Sequence, residues 1–374
     1  MKLFDVYPLY DINPIYGDDV WIYDKKGEKY LDLYGGHAVI SIGHNCSEFT
    51  DALKNQIEKL VFYSNAVEND LQREFANQLG IVSGLKHHSL FLCNSGAEAV
   101  ENALKLASFH THKERIVAFK NGFHGRTSAA VAASDFELIK SDLNKQHHVD
   151  FVDLEDFEGL FATFDKEDVA ACIIEPIQGV GGLDQPSEHF FKTIEKLCKE
   201  NGSCLIVDEI QSGCGRTGRY FAHQHYDIRP DLITIAKGIG NGFPVGGVII
   251  DNKIKARYGL LGTTYGGNHL ACSAGISVLN VLSRLQLMDK IPELETHFRN
   301  RASKISSIKK VKGRGLMLGL EFDFEVSKLR ENLLYKCNIF TGGSSNKKLL
   351  RILPPLTLQV KHIDQLFSSL EQLL

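Results

Sequence analysis

The sequence contains no pair of cysteines at CxxC spacing, although it has eight cysteines in all. Several of them, including Cys93, Cys172 and Cys204, lie within apolar runs, where cysteine commonly serves as a small core residue. The pattern therefore indicates neither a disulfide framework nor a zinc site, and it favours a reducing compartment. We expect a cytoplasmic protein that binds no metal.

No apolar run is long enough to cross a membrane. The N-terminus, MKLFDVYPLYDINP, includes Asp5 and Asp11 and lacks the apolar core of a secretory signal. Positive charge is not in excess, since 42 lysines and arginines against 46 aspartates and glutamates give a net charge of −4. Because this balance gives no electrostatic footprint for nucleic acid, we expect a protein that binds neither membranes nor nucleic acid.

The sequence does contain enough apolar residues, 43% of 374, for a large core and about two domains. From about residue 89, apolar runs alternate with helical patterns, which is typical of an α/β fold with a mainly parallel sheet. The runs are SLFLCN, RIVAF, AACIIEP, CLIVDE, LITIAK and VGGVII. A smaller α+β part is predicted from a hairpin at 19–34, helices at 270–287 and around 290–305, a strand pair at GLMLGLEF and a helix at 361–374.

Two of the predicted strands end in a charged residue, Asp208 in one case and Lys237 in the other. Burying either charge is costly unless it has a partner. Pyridoxal phosphate needs both groups, because its aldehyde condenses with a lysine amine and its ring nitrogen holds a proton beside a carboxylate. The alternative is that both are ordinary charges at the rim of a sheet.

Ser95, Gly96 and Ala97 form a turn between a predicted strand and a predicted helix. Free N–H groups, a hydroxyl and the positive end of a helix dipole would together bind an anion there. Ser95 and Glu98 also have the spacing of a capping box, which is the structural alternative. The chain contains no GxxxxGK[ST] motif, so this is not a Walker A loop.

Two further motifs contain arginines suited to carboxylates. In NGFHGRT, Phe123 can lie flat on a planar cofactor and Arg126 can bind a carboxylate with two hydrogen bonds. The alternatives are a core position for Phe123, a histidine satisfied by hydrogen bonds for His124 and a surface charge for Arg126. In LRILPP, Arg351 occupies an apolar strand, where it needs an anionic partner.

Taken together, these motifs resemble those of the class III aminotransferases, which are pyridoxal-phosphate enzymes of fold type I. The motifs, in order, are NSGAEA, NGFHGRT, EPIQG, VDEIQ, GRTG, AKGIGNGFP, TTYGGN and LRILPP. The resemblance is closest to the acetylornithine and succinylornithine aminotransferases. It implies a large domain with a mainly parallel seven-stranded sheet at 49–258, and a small domain formed by an N-terminal segment at 1–48 and by 259–374.

The resemblance also implies roles for individual residues. Catalysis would depend on Lys237, which would bind the aldehyde, and on Asp208, which would pair with the ring nitrogen. The implied cofactor-binding residues are Ser95, Gly96, Ala97, Phe123, Asp208, Ile210, Gln211, Lys237 and, from the neighbouring subunit of a homodimer, Thr264. The implied substrate-binding residues are Arg126, Arg351 and, as a supporting carboxylate, Glu175.

The implied reaction exchanges the δ-amine of an N-acylornithine with 2-oxoglutarate and glutamate, in arginine biosynthesis. Arg126 would bind the α-carboxylate of the acylornithine, whereas glutamate would use both Arg126 and Arg351. Another ω-amine substrate, such as ornithine or 4-aminobutyrate, is an alternative, and so is a non-catalytic relative of the same fold. The sequence does not distinguish an acetyl from a succinyl group.

This sequence departs from the resemblance at several positions. Val180 stands where such enzymes usually have a glutamate that neutralises the second arginine. His37 and His269 stand where isoleucine and proline are common. We expect these changes to affect the handling of the substrates and not the choice of cofactor.

Overall fold

The computed structural model describes residues 1–374, which fold around a seven-stranded sheet. The strands, in spatial order, are Ser89–Cys93, Gly246–Ile250, Leu232–Ile235, Cys204–Asp208, Val169–Ile174, Arg115–Phe119 and Val149–Val152. Only Gly246–Ile250 runs antiparallel to its two neighbours. Every residue of the three central strands is buried, as expected for a parallel sheet covered on both faces. The predicted α/β fold with a mainly parallel seven-stranded sheet is confirmed.

The helices pack on both faces of this sheet and around the smaller sheets. The α-helices of five or more residues are Ser47–Ile57, Asp70–Ser83, Gly96–Thr111, Ser128–Ala132, Phe157–Phe164, Glu188–Glu200, His269–Arg284, Leu287–Ala302, Ser327–Cys337 and Val360–Leu373, and a single turn lies at Gly35–Ala38. The helix predicted at 270–287 ends early, because Gln286 has a φ of 48°, a left-handed conformation that stops a helix. No single helix is both long and apolar enough to cross a membrane, although the bent pair His269–Arg284 and Leu287–Ala302 reaches that length and composition together.

Two smaller sheets join the ends of the chain. One contains Pro14–Asp18, Trp21–Asp24, Lys29–Asp32 and Ile339–Phe340, and the other contains Lys310–Arg314, Met317–Glu321 and Leu349–Ile352. The hairpin predicted at 19–34 is present, with one more strand before it. The strand pair predicted at GLMLGLEF is wrong: this segment forms a single strand, whose partners come from 310–314 and 349–352. The domain boundaries at 48/49 and 258/259 stay a prediction.

The sheet places chemically active residues along one edge. Asp208 ends the strand Cys204–Asp208, Glu175 follows Val169–Ile174, and Lys237 follows Leu232–Ile235 after one residue. These three strands are parallel neighbours, so their carboxyl ends meet at the same edge. Ligands of open α/β sheets bind at this edge.

Candidate active site

One cavity of about 420 Å³ lies at the carboxyl edge of the seven-stranded sheet. Its volume is within the range of small-molecule sites, about 300–1,000 Å³. All residues predicted for the site line it except Thr264 and Arg351; those that line it are Ser95, Gly96, Ala97, Phe123, Arg126, Glu175, Asp208, Ile210, Gln211 and Lys237. Asp208 and Lys237, which were predicted from two separate strand ends, therefore face one cavity.

The helix Gly96–Thr111 begins in the wall of the cavity. Ser95 caps it, because Oγ of Ser95 accepts a hydrogen bond of 3.2 Å from the N–H of Glu98. Glu98 in return accepts a bond of 3.1 Å from the N–H of Asn94. The cap does not use the N–H groups of Gly96 and Ala97, which precede the first intrahelical bond. These two groups remain free to bind an anion at the positive end of the helix dipole.

Asp208 is 3% exposed and accepts three hydrogen bonds. The donors are Nδ1 of His124 at 2.7 Å, Oγ1 of Thr234 at 3.0 Å and the N–H of Ile210 at 3.1 Å. Burial opposes the charged form of His124, but its hydrogen bond to Asp208 and the charges of Asp208 and Glu175 raise the pKa of His124 above its ordinary value. Asp208 is thus held as an oriented carboxylate in the cavity wall.

His124 is the residue of this site that the sequence analysis did not predict. Its neighbours Phe123 and Arg126 were given functional roles, whereas for His124 only the alternative of a satisfied histidine was stated. The available signal was its position in NGFHGRT, directly after an aromatic residue expected to touch the cofactor. Its partner Asp208 lies 84 positions away in the sequence, and no local pattern indicates such a pairing.

Lys237 is the only lysine that lines the cavity. Its backbone has a φ of 49°, a left-handed conformation that costs a residue with a Cβ atom about 1–2 kcal/mol. Desolvation by the surrounding protein lowers the pKa of Lys237, while the charges of Asp208 and Glu175 oppose this effect. A lowered pKa increases the share of neutral amine, which is the nucleophilic form.

Gln211 has a polar atom that the protein itself does not satisfy. Its Oε1 is buried without a hydrogen-bond partner, whereas Nε2 donates to the carbonyl of His37 at 3.1 Å. A buried polar atom without a partner costs about 1–3 kcal/mol, so this amide is suited to a polar group of a ligand. Next to it, Ile210 packs against the helix start, where a Cβ atom on Gly96 would lie 2.9 Å from its Cδ1.

Two arginines near the cavity have no carboxylate partner. Arg126 is exposed in the cavity wall. Arg351 is 3% exposed and lies behind Gly179, whose carbonyl accepts a hydrogen bond from its Nη1. Nε of Arg351 has no partner, and burial lowers the pKa of Arg351 to about 10. Because its guanidinium is buried and its Nε has no partner, Arg351 favours the binding of an anion.

Glu175 connects the backbone of Phe123 with that of Gly179. Its Oε1 accepts a hydrogen bond from the N–H of Phe123, and its Oε2 accepts one from the N–H of Gly179, both at 2.9 Å. Burial raises the pKa of Glu175 to about 7, an effect that the positive charge of His124 opposes. Both carboxylate oxygens are thus used within the protein.

The remaining singled-out residues occupy different positions. Thr264 is exposed on the loop before the helix His269–Arg284 and does not line the cavity. Val180 lines it, whereas His37 does not. The ring of His37 lies against Tyr34, with 2.6 Å between Nε2 and the tyrosine hydroxyl. Partial burial and the charges of Arg351 and Lys237 lower the pKa of His37 to about 4, so its imidazole is neutral at pH 7.

Comparison with known proteins identifies the family. The model of the class-III aminotransferases matches residues 8–374. The chain belongs to this family. An acetylornithine aminotransferase of Aquifex aeolicus is 37% identical over 100% of this chain and 99% of its own length, and one of Bacillus subtilis is 36% identical over 99% and 97%. The crystal structure of an ornithine aminotransferase from Toxoplasma gondii has 27% identity and a TM-score of 0.92, covering 99% of this chain and 93% of its own.

Class-III aminotransferases use pyridoxal phosphate. A second structure of the Toxoplasma gondii enzyme is described with this cofactor at partial occupancy in its active site. The cavity of the present aminotransferase fits the same group, because it offers open N–H groups at a helix start, a buried carboxylate, one lysine amine and an unpartnered amide oxygen. Pyridoxal phosphate is the cofactor of this enzyme.

Proposed function

We propose that this class-III aminotransferase transfers the δ-amine of an N-acylornithine, with N-acetylornithine as the preferred substrate, to 2-oxoglutarate in arginine biosynthesis. The observation that carries the proposal is the pair of arginines without carboxylate partners, Arg126 in the cavity wall and Arg351 behind it. The names of the full-length relatives from Aquifex aeolicus and Bacillus subtilis support the acetyl group. Amino acids and keto acids are the substrates of the class as a whole.

The cofactor would be held by residues from three segments. The N–H groups and the hydroxyl of residues 95–97 would bind its phosphate, as the open helix start supports. Gln211 would contact the ring hydroxyl through Oε1, the amide atom that has no partner within the protein. Phe123 and Ile210 would cover the two ring faces and exclude water.

Lys237 and Asp208 would carry the chemistry. When bound, pyridoxal phosphate supplies an aldehyde that takes up the amino group and a ring that accepts the electrons released from the reacting carbon. Asp208 would keep the ring nitrogen protonated, and the bond donated by His124 would hold the carboxylate of Asp208 in its orientation. Lys237 would hold the aldehyde between turnovers and move a proton to and from the reacting carbon.

The two arginines would allow one cavity to accept both substrates. An N-acylornithine reacts through its δ-amine, so its carboxylate lies far from the reacting carbon and would pair with exposed Arg126. Glutamate reacts through its α-amine, so its α-carboxylate would pair with Arg351 and its side-chain carboxylate with Arg126. Bidentate pairing of arginine with carboxylate gives both affinity and orientation.

We propose a cytoplasmic homodimer in which Thr264 of one subunit contacts the cofactor phosphate of the other. Thr264 is exposed and does not line its own cavity. Nearby Tyr258 and Tyr265 are 106% and 61% exposed, and a second subunit would cover such apolar side chains. Sedimentation equilibrium should give twice the mass of the chain, and a monomer that is fully active would contradict this arrangement.

A substrate comparison tests the proposed function. Purified enzyme loaded with pyridoxal phosphate is mixed in single turnovers with N-acetylornithine, N-succinylornithine, ornithine and 4-aminobutyrate. We expect N-acetylornithine to react with the highest kcat/KM. Ornithine is the second candidate, because the Toxoplasma gondii structure with a TM-score of 0.92 is an ornithine aminotransferase. A higher kcat/KM for free ornithine would replace the proposal by that alternative.

Val180 allows a sharper test of how glutamate is bound. It lines the cavity next to Gly179, the acceptor of Arg351. We expect Val180→Glu to raise the KM for glutamate about tenfold, because the new carboxylate would compete for Arg351 with a charge-assisted hydrogen bond of about 1.5–3 kcal/mol.

The matched control is Val180→Gln, which has the same shape without the charge. The KM for N-acetylornithine should stay within about twofold in both variants. Equal changes in the KM of both substrates would show that Val180→Glu does not act through Arg351.

A further inference from the structure

We propose that Glu175 is a positioning residue that keeps the glutamate-binding arginine in place through the backbone of Gly179. The inference rests on the proposed role of Arg351 as the ligand of the α-carboxylate of glutamate. Glu175 would touch neither substrate nor cofactor. It would act on the half-reaction of glutamate and leave the binding of N-acylornithine unchanged.

A continuous chain of hydrogen bonds links Glu175 to Arg351. Oε2 of Glu175 accepts a bond of 2.9 Å from the N–H of Gly179. The carbonyl of the same residue accepts the bond from Nη1 of Arg351, which is the only hydrogen bond of that guanidinium, since Nε has no partner. The orientation of Arg351 therefore depends on the position of one glycine.

Gly179 has no side chain that could fix its own position. A Cβ atom there would overlap Oε1 of Gln211, so a side chain at this position would displace that amide. Glycine has the largest backbone freedom of all residues. The carboxylate of Glu175, which lies four residues earlier in the chain, thus restrains the amide of Gly179.

The other oxygen of Glu175 holds the turn that contains Phe123. Oε1 accepts a bond of 2.9 Å from the N–H of Phe123. One buried carboxylate therefore fixes the distance between the Phe123 turn and the Gly179–Arg351 pair. That distance decides whether an α-carboxylate bound to Arg351 lies at the correct depth beside the reacting carbon, and an error of 1 Å at such a site can cost about 100-fold in rate.

The test measures binding and not turnover. Enzyme loaded with pyridoxal phosphate is titrated by calorimetry with two unreactive ligands. Glutarate carries both carboxylates of glutamate and should use Arg351 and Arg126. N-Acetylnorvaline, which is N-acetylornithine without its δ-amine, should use Arg126 alone.

We expect Glu175→Leu to raise the Kd of glutarate about tenfold, because the N–H of Gly179 loses the acceptor that holds the partner of Arg351 in place. The Kd of N-acetylnorvaline should stay within about twofold. Glu175→Gln keeps one acceptor oxygen, so its Kd for glutarate should lie between those of Glu175→Leu and the parent, and it also serves if Glu175→Leu does not fold. Equal weakening of both ligands, or no change for glutarate, would overturn the inference.

Arg351→Met separates this inference from the proposed function. We expect it to weaken glutarate binding at least as much as Glu175→Leu does. If Arg351→Met weakens glutarate and both Glu175 variants do not, only the positioning role of Glu175 is wrong. If Arg351→Met leaves glutarate unaffected, the carboxylate role of Arg351 is wrong and the inference is overturned with it.

Discussion

Replacement of Lys237 by alanine should lower the rate of amino-group transfer by about 10⁴-fold, the upper range for the loss of a positioned proton-transfer group. Lys237 is the only lysine that lines the cavity, so no neighbouring amine can substitute for it. The pKa of its amine is lowered by desolvation, which increases the share of neutral amine able to accept a proton. Single-turnover rates with N-acetylornithine and with glutamate would measure the effect on each half-reaction.

The control for this variant is the retention of the cofactor. Asp208 is held by bonds from His124, Thr234 and Ile210, and Ser95 by its bond with Glu98. None of these bonds involves Lys237, so Lys237→Ala should still keep pyridoxal phosphate through gel filtration. Lys255→Ala, which changes an exposed lysine outside the cavity, should retain the parent rate. A Lys237→Ala enzyme that keeps even one tenth of the parent rate would exclude the proposed role.

The sequence was sufficient to predict the large sheet and the location of the site within it. Continuous apolar runs such as VAACII and CLIVD indicate strands buried on both faces, and parallel strands bring their carboxyl ends to one edge. Asp208 and Lys237 were therefore expected to meet, and they line one cavity.

The sequence was not sufficient where a contact joins distant segments. The bond of His124 to Asp208 and the bond of Arg351 to Gly179 each connect residues from different motifs. Arg216 is a further case: it is 2% exposed, and its guanidinium donates to the carbonyls of Leu316 and Pro354. Hydrophobic periodicity describes which face of an element is buried, but it carries no information about such polar partners.

The choice between capping and anion binding at Ser95 has a physical answer. Capping uses the N–H of Glu98, the third residue of the helix, whereas an anion would use the N–H groups of Gly96 and Ala97. The two functions occupy different donors, so the sequence spacing of a capping box does not argue against a phosphate site. A helix start therefore offers several separate donors, and a capping side chain uses only one of them.

Replacement of Asp208 by asparagine should lower kcat/KM by about 10³-fold for both substrates. Removing one partner of a buried ion pair costs about 3–5 kcal/mol, and each 1.4 kcal/mol corresponds to a factor of ten. Asparagine keeps the size of the side chain and one acceptor oxygen, which can serve either His124 or the pair of Thr234 and the N–H of Ile210, so most of the loss would come from the charge that is proposed to hold the ring nitrogen protonated.

The adjacent Glu209 is the matched control for Asp208. It is also buried, at 2% exposure, and it is also bonded to a histidine, since its Oε1 accepts from Nδ1 of His223 at 2.9 Å. Glu209 does not line the cavity, so Glu209→Gln should lower the melting temperature while changing kcat/KM less than about threefold. Because both variants remove one buried carboxylate from the same turn, equal losses of kcat/KM in the two would mean that Asp208 acts through folding and not on the cofactor ring.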